Sequence, residues 1–159
     1  MRLYIIRHAA AEQGGRGTSD AGRPLTPHGR ARFRSTVAGL RRVGVRFDRL
    51  YHSPKLRAVE TADLLGRLVR GETVVTAHLA RAPAPALLGA VRGEEVGVVG
   101  HEPWLGALAA WLVTGDRGRG ERFPLKKGGV VVLEGDLRPG AMRLVASLPP
   151  KVLRRAGRG

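Results

Sequence analysis

Leu3-Tyr4-Ile5-Ile6-Arg7-His8 opens the chain with four apolar residues in a row, followed at once by two basic ones. Such a run, too short for a helix and lacking polar alternation, is the pattern of a strand covered on both faces in a parallel sheet. Val96-Gly97-Val98-Val99, closed by Gly100-His101, repeats it. Between the two, Ala11 to Arg23 reads as a Gly-rich polar loop, and Thr26-Pro27 as the N-cap and first residue of a helix reaching about Arg42. Phe47 to Tyr51 is a second strand. Ser53-Pro54 repeats the cap-then-proline start for a helix carrying Leu56, Val59, Ala62, Leu64, Leu65 and Leu68. Thr73 to Thr76 is β-branched and predicts a third strand, and Pro83 to Val91 an interrupted short helix. Beyond His101, Pro103 opens a helix that places Leu105, Leu108, Trp111 and Leu112 at helical spacing and stops before Gly115. Residues 115–129 hold Gly, Arg and Lys without apolar period, a long mobile loop. Val130 to Leu133 and Met142 to Ala146 are two last strands joined at Arg138-Pro139-Gly140, and Pro149-Pro150 introduces a frayed basic end. Strands alternating with helices predict an α/β domain of three layers, αβα, around a mainly parallel sheet with an antiparallel edge. Residues 1–148 form that domain, and 149–159 a basic flexible tail.

Composition narrows the function classes. The 159 residues are 43% hydrophobic and 26% charged, in the range of one globular domain. Cysteine is absent, which removes disulfides, thiolate metal sites and a cysteine nucleophile together. No apolar run approaches the roughly 20 residues of a membrane span, and Leu3 to Ile6 is too short for a signal-peptide core of about 7–15, so a cytoplasmic protein is expected. Lys and Arg number 28 against 13 Asp and Glu, a formal charge of +15, and 24 of the 28 are Arg. Such an excess accompanies nucleic-acid binding, a phosphorylated substrate, or a plain bias toward arginine. Spread along the chain apart from Lys126-Lys127 and Arg154-Arg155, it ranks bias first, and with 4% aromatics nucleic acid is not the expected partner.

In open parallel sheets, ligands gather outside the carboxyl ends of the strands. Arg7-His8 follows the first strand, Ser53-Pro54 the second with Arg57 one turn into its helix, and Gly100-His101 the fourth. Two histidines and two arginines thus share one rim. Guanidinium groups grip phosphate oxygens by charge-assisted bonds, an imidazole can attack phosphorus, and helix N-termini favour an anion. Ser53 and Thr26 are accounted for by capping, Thr61 is assigned to structure, and Glu60 and Glu102 to supporting or solvated positions. His28, His52 and His78 are expected to be structural. Metal ligation is disfavoured: no short His/Asp/Glu spacing occurs, and the arginines would repel a cation. Trp104 and Trp111 belong to core or pocket wall, and Arg117 to Lys127 forms a solvated basic segment that could recruit an acidic phosphoprotein or polyphosphate.

Arg7-His8, Leu25-Thr26-x-x-Gly29, Ser53-Pro54-x-x-Arg57-Ala58-x-x-Thr61 and Gly100-His101-Glu102-Pro103, in that order, resemble the histidine phosphatase (phosphoglycerate mutase-like) superfamily, in its short SixA-type phosphohistidine phosphatase branch. The correspondence runs from Met1 to about Leu148. The resemblance implies that His8 is phosphorylated in turn, that Arg7, Arg57 and His101 hold the phosphoryl oxygens, and that neither metal nor other cofactor is needed. Two departures stand out. The family's glycine after Arg-His is Ala9, whose methyl group narrows the pocket or requires a favourable negative φ. Larger relatives carry a proton-donating acid after the third strand, and Ala77 to Arg92 contains no Asp or Glu.

That second departure constrains the leaving group. An alkoxide needs a proton in the transition state, whereas imidazole, with a conjugate-acid pKa of about 6.5, leaves far more easily. Phosphoramidates fit best, so the expected substrate is phosphohistidine in proteins. Anhydrides and aryl phosphates follow, and sugar phosphates come last unless Glu12, Glu102 or His28 supplies the proton. Two alternatives stay open: a phosphatase of small phosphoesters, nucleotides or phosphoanhydrides, and a phosphate- or polyanion-binding module with weak catalysis.

Overall fold

A computed structural model describes residues 1–158. Its elements run β1 (Arg2–Arg7), α1 (Pro27–Arg42), β2 (Phe47–His52), α2 (Leu56–Leu65), β3 (Val69–Val75), α3 (Pro85–Ala90), β4 (Glu95–Gly100), α4 (Trp104–Thr114), β5 (Val130–Gly135), β6 (Met142–Leu148) and α5 (Pro150–Ala156). The six strands form one sheet in the order β3-β2-β4-β1-β5-β6. β1, β2, β3 and β4 pair in parallel, and β5 and β6 join antiparallel at one edge. β1 is interior, as its unbroken apolar run requires. Its alternate residues feed two cores: Tyr4 and Ile6 pack with Phe33, Leu40 and Leu65 beneath α1 and α2, while Leu3 and Ile5 pack with Leu87, Leu105, Leu108 and Leu112 beneath α3 and α4. The expected three-layer αβα arrangement is the one observed. Among the described residues no helix is long and apolar enough to cross a membrane.

α1 starts where its sequence says. Thr26 Oγ1 accepts from Gly29 N–H at 2.8 Å and Pro27 takes the first helical position. Gly29 serves a second purpose, since a Cβ there would lie 2.3 Å from the Ala10 carbonyl oxygen. The Leu25-Thr26-x-x-Gly29 motif therefore presses the helix start onto the backbone that leaves β1.

Four expectations are corrected. β3 begins at Val69, after a 3-10 turn at Gly66–Leu68, because parallel pairing with β2 recruits Val69 to Gly71 despite their weak pattern. α2 begins at Leu56 with Lys55 at the N-cap and no side-chain cap, so Ser53 is not its cap. The 115–129 segment is not a free loop. It contains a 3-10 stretch, Arg117–Arg122, started by Asp116 Oδ1 accepting from Gly118 N–H at 2.8 Å. The Arg117 guanidinium lies 4.4 Å over the Trp111 ring and donates to the Pro83 carbonyl at 2.6 Å. Gly106 and Gly120 let its backbone meet α4 directly, for a Cβ on Gly106 would stand 2.7 Å from the Gly120 oxygen.

The C-terminal expectation fails most plainly. Pro150 to Ala156 is helix α5 rather than a frayed tail, with Pro at its start and Leu153 buried against α1. Glycines permit the approach: a Cβ on Gly39 would collide with the Leu153 carbonyl, and one on Gly157 with that of Ser35. Of the predicted tail, Gly159 lies outside the described residues. Leu153→Ala is expected to lower stability by about 2–5 kcal/mol, the usual cost of emptying a buried leucine site, measured by urea unfolding. An unchanged midpoint would mean that α5 is not docked in solution.

Candidate active site

Parallel register brings three strand ends level. β4 lies between β1 and β2, with Arg7 opposite Gly100 and His52 opposite Val99. The ladder continues one residue further, as His8 N–H donates to the Gly100 carbonyl at 3.1 Å and Ser53 N–H to that of Val99 at 3.0 Å. His8, His101 and Ser53 therefore stand side by side at the carboxyl edge of the sheet. α2, entered directly after β2, carries Arg57 to the same edge.

The His8 and His101 rings lie with centroids 5.1 Å apart and planes at 50°. Both are buried, 6% and 5% exposed, and Arg57 is 4% exposed. His8 Nδ1 is 2.7 Å from the Ala9 carbonyl oxygen. A carbonyl only accepts, so Nδ1 carries the hydrogen, and neutral His8 keeps its lone pair on Nε2. Burial first, then Arg57, Arg7 and Lys127, push His8 from 6.5 down to about 4. His101 falls to about 3, again through burial, then through His8, Arg57 and Lys55. Both rings are neutral at pH 7.

His101 Nε2 is 2.7 Å from Ser53 Oγ. That oxygen already accepts from Lys55 N–H at 3.3 Å, so its own hydrogen is free for Nε2. Neutral His101 then holds its hydrogen on Nδ1, which is buried without a partner. The side chain assigned to capping is instead the anchor of the second ring.

Arg57 is held by one residue in two ways: Nη1 donates to the Asp20 carbonyl at 2.7 Å and Nη2 to its carboxylate at 3.3 Å. Lys55 Nζ and the Arg23 guanidinium reach the same carboxylate at 2.7 and 2.9 Å, and together they hold Asp20 well below the usual carboxylate range. Burial pushes Arg57 itself below its ordinary value, with Asp20 opposing. Arg7 Nη1 donates to the Leu125 carbonyl at 2.7 Å. Nε of Arg7 and of Arg57 are buried and without partners. The structure thus brings all four rim residues together, His8, Arg57 and His101 in the buried floor and Arg7 at its edge.

Thr61 locks the arrangement, its hydroxyl donating to the Arg57 carbonyl at 2.6 Å and accepting from Ala9 N–H at 3.1 Å. Ala9 is buried and, like every non-glycine among the described residues, has no positive φ, so its methyl group adds no backbone strain. The candidate proton donors are exposed or already engaged. Glu12 is exposed on its loop, and His28, also exposed, pairs with Arg32 at 3.2 Å. Both Glu102 oxygens are occupied, accepting from Gly106 N–H at 3.1 Å and Leu125 N–H at 3.0 Å. Glu60 is likewise engaged, by Leu25 N–H and Arg30. Among the described residues no three His, Asp or Glu side chains group so as to hold a metal ion.

Residues 3–82, which contain Arg7, His8 and Arg57, match the model of the histidine phosphatase superfamily (branch 1). The chain belongs to the histidine phosphatase superfamily. An uncharacterized protein of Picosynechococcus sp. is 32% identical over 154 residues, covering 92% of this chain and 90% of its own. The mitochondrial serine/threonine-protein phosphatase PGAM5 of Homo sapiens is 35% identical over 83 residues, 52% of this chain and 28% of that protein. Among solved structures, the protein histidine phosphatase SixA complexed with tungstate superposes with a TM-score of 0.80 at 24% identity, covering 96% of this chain and 99% of that one. A SixA-assigned protein of Nakamurella multipartitia gives 0.76 at 25%, covering 94% and 95%. The fold is therefore phosphoglycerate mutase-like, and this histidine phosphatase is a hydrolase of the phosphatase class.

Burial of two neutral rings has a pH signature. The unfolded chain charges its histidines near 6.5 while the folded protein resists until about 4, so between those values the unfolded state binds more protons. Stability is expected to fall as pH drops from about 6.5 to 4, by on the order of 3 kcal/mol per ring. Denaturant unfolding at several pH values measures it, and a His8 ring signal titrating near 6.5 by NMR would contradict it.

Proposed function

We propose that this histidine phosphatase acts through a phosphoryl group carried on His8, without a metal, and that its substrate is phosphohistidine in cytoplasmic proteins. The observation that carries the reading is the His8 Nδ1–H bond to Ala9, which leaves Nε2 as an uncharged nucleophile in a buried cationic site. In the first step Nε2 attacks phosphorus in line on a substrate ring protonated at its second nitrogen, the P–N bond breaks, and its electron pair leaves with that ring, which departs as neutral imidazole. Arg57, Arg7 and His101 Nδ1–H bind the equatorial oxygens, offsetting charge where it gathers. In the second step water attacks phosphorus, the P–Nε2 bond breaks, and phosphate departs with His8 restored. Positive charge comes from guanidinium groups, which supports a cycle without metal.

The leaving group is the point at which readings divide. Likeness to a serine/threonine-protein phosphatase over 83 residues favours a phosphoester substrate. An alkoxide, however, needs an acid, and the carboxylates near this site are committed: Asp20 stays ionised under three cations, and Glu102 binds two backbone N–H groups. Phosphohistidine carries its own proton on the second ring nitrogen, leaves as neutral imidazole and needs none from the enzyme.

Turnover of a phosphohistidine peptide is expected to exceed that of a phosphoserine peptide by about 10²–10⁴, the factor a positioned acid supplies. His8→Ala is expected to remove at least about a thousandfold of either activity, as loss of a nucleophile does. Preference for phosphoserine, or phosphohistidine turnover unchanged in His8→Ala, contradicts the proposal.

A further inference from the structure

Beside His8, between the end of β1, the first turns of α1 and the start of α5, a cavity of about 570 Å³ opens, with Arg7, Ala9 and Lys127 on its inner wall. Its outer wall, Arg32, Lys151 and Arg154, is shared with a second hollow of about 420 Å³ that continues to Arg155 and Arg158. The two make one groove running from Arg7 and Ala9, the residues on either side of His8 in the chain, to the C-terminal helix, and no Asp or Glu lines either part.

What marks the groove is a wall of cations with no carboxylate among them. Outside it Arg2, Arg23, Arg30, Arg49, Arg119, Arg138 and Arg143 each meet a carboxylate, while others, Arg34, Arg41 and Arg67 among them, do not. Among the described residues none of Arg32, Lys126, Lys127, Lys151, Arg154 or Arg158 forms an ion pair. Arg154 lies below its ordinary value through burial and through the charges of Arg32 and Arg158, so like charges are being held together. Docking α5 through Leu153 and Gly39 is what assembles them.

We infer that this groove binds an acidic polypeptide segment of the phosphorylated substrate, a stretch rich in Asp and Glu lying along α5 while the phosphoryl group reaches His8. The inference rests on the protein-substrate reading above. A phosphohistidine within a polypeptide must be followed by chain leaving the site, and here a path of unpaired cations leads away from it. The lining holds no exposed Trp, Tyr or Phe, since Phe33 is buried and His28 is its one exposed ring, so the groove lacks the row of aromatic rings on which successive bases stack, which favours acidic peptide over single-stranded nucleic acid.

The test uses the whole protein and a fluorescent, unphosphorylated Asp/Glu-rich peptide, with a Ser/Gly peptide of equal length as control. Binding is read by anisotropy. Lys151→Glu with Arg158→Glu, and separately Arg32→Glu, alter exposed groove positions away from the phosphoryl site. Each is expected to weaken acidic-peptide binding, by about tenfold for the double reversal at low salt and less at high salt. KM for an acidic phosphohistidine peptide should rise by the same factor with kcat unchanged, while KM for an aryl phosphate stays put. Equal binding of both peptides, indifference to the reversals, or stronger competition by polyphosphate or an oligonucleotide than by the acidic peptide would overturn the inference. Should the acidic peptide bind through the groove while no phosphohistidine peptide is turned over, the groove assignment is upheld and the phosphohistidine reading falls.

Discussion

One hydrogen bond, from His8 Nδ1 to the carbonyl of Ala9, decides which nitrogen of the ring can meet a substrate. Without it the imidazole could carry its hydrogen on either side. With it, Nε2 is left with a lone pair and the ring is fixed in plane. The bond exists because the chain turns directly after β1, and that turn is held from three sides: His8 N–H by Gly100, Ala9 N–H by Thr61, and the Ala10 carbonyl by Thr26 N–H. Neutrality comes from the surroundings, where burial and neighbouring cations both disfavour an imidazolium.

The same surroundings are costly without an anion. Buried guanidinium nitrogens without partners, at Arg7 and Arg57, have lost water and gained nothing in return. In the proposed cycle a phosphoryl group would supply acceptors to those nitrogens and to His101 Nδ1 together, so affinity for a tetrahedral anion would follow from donors the fold leaves unsatisfied. Asp20 relieves part of the repulsion by holding Arg57, Lys55 and Arg23 with one carboxylate. Being ionised, it stabilises that cluster and has no proton to give.

Local patterns in the chain reveal much of this. Apolar runs ending in Arg7-His8 and Gly100-His101 mark strand ends, Thr26-Pro27 marks a helix start, and topology places strand ends at one rim, so the αβα layers and the four rim residues were readable. What escaped depends on contacts distant in the chain. Asp20 meets Arg57 across 37 residues, and nothing in a Gly-rich loop announces that meeting. Ser53 reads as a cap because Ser-Pro usually is one, yet its hydroxyl turns toward His101, 48 residues away. α5 has a single buried leucine, too little periodicity to declare a helix, and forms because Gly39 leaves room for it. Residues 115–129 look unstructured because glycine hides the backbone contact they make with α4.

The most direct measurement is the site of covalent attachment. Protein with 15N-labelled histidine, quenched during turnover of a phosphoramidate, can be examined for coupling between 31P and ring nitrogen. The account predicts phosphorus bonded to Nε2 of His8 and to no other nitrogen. Phosphorus on Nδ1 of His8, on His101 or on any other residue would contradict it.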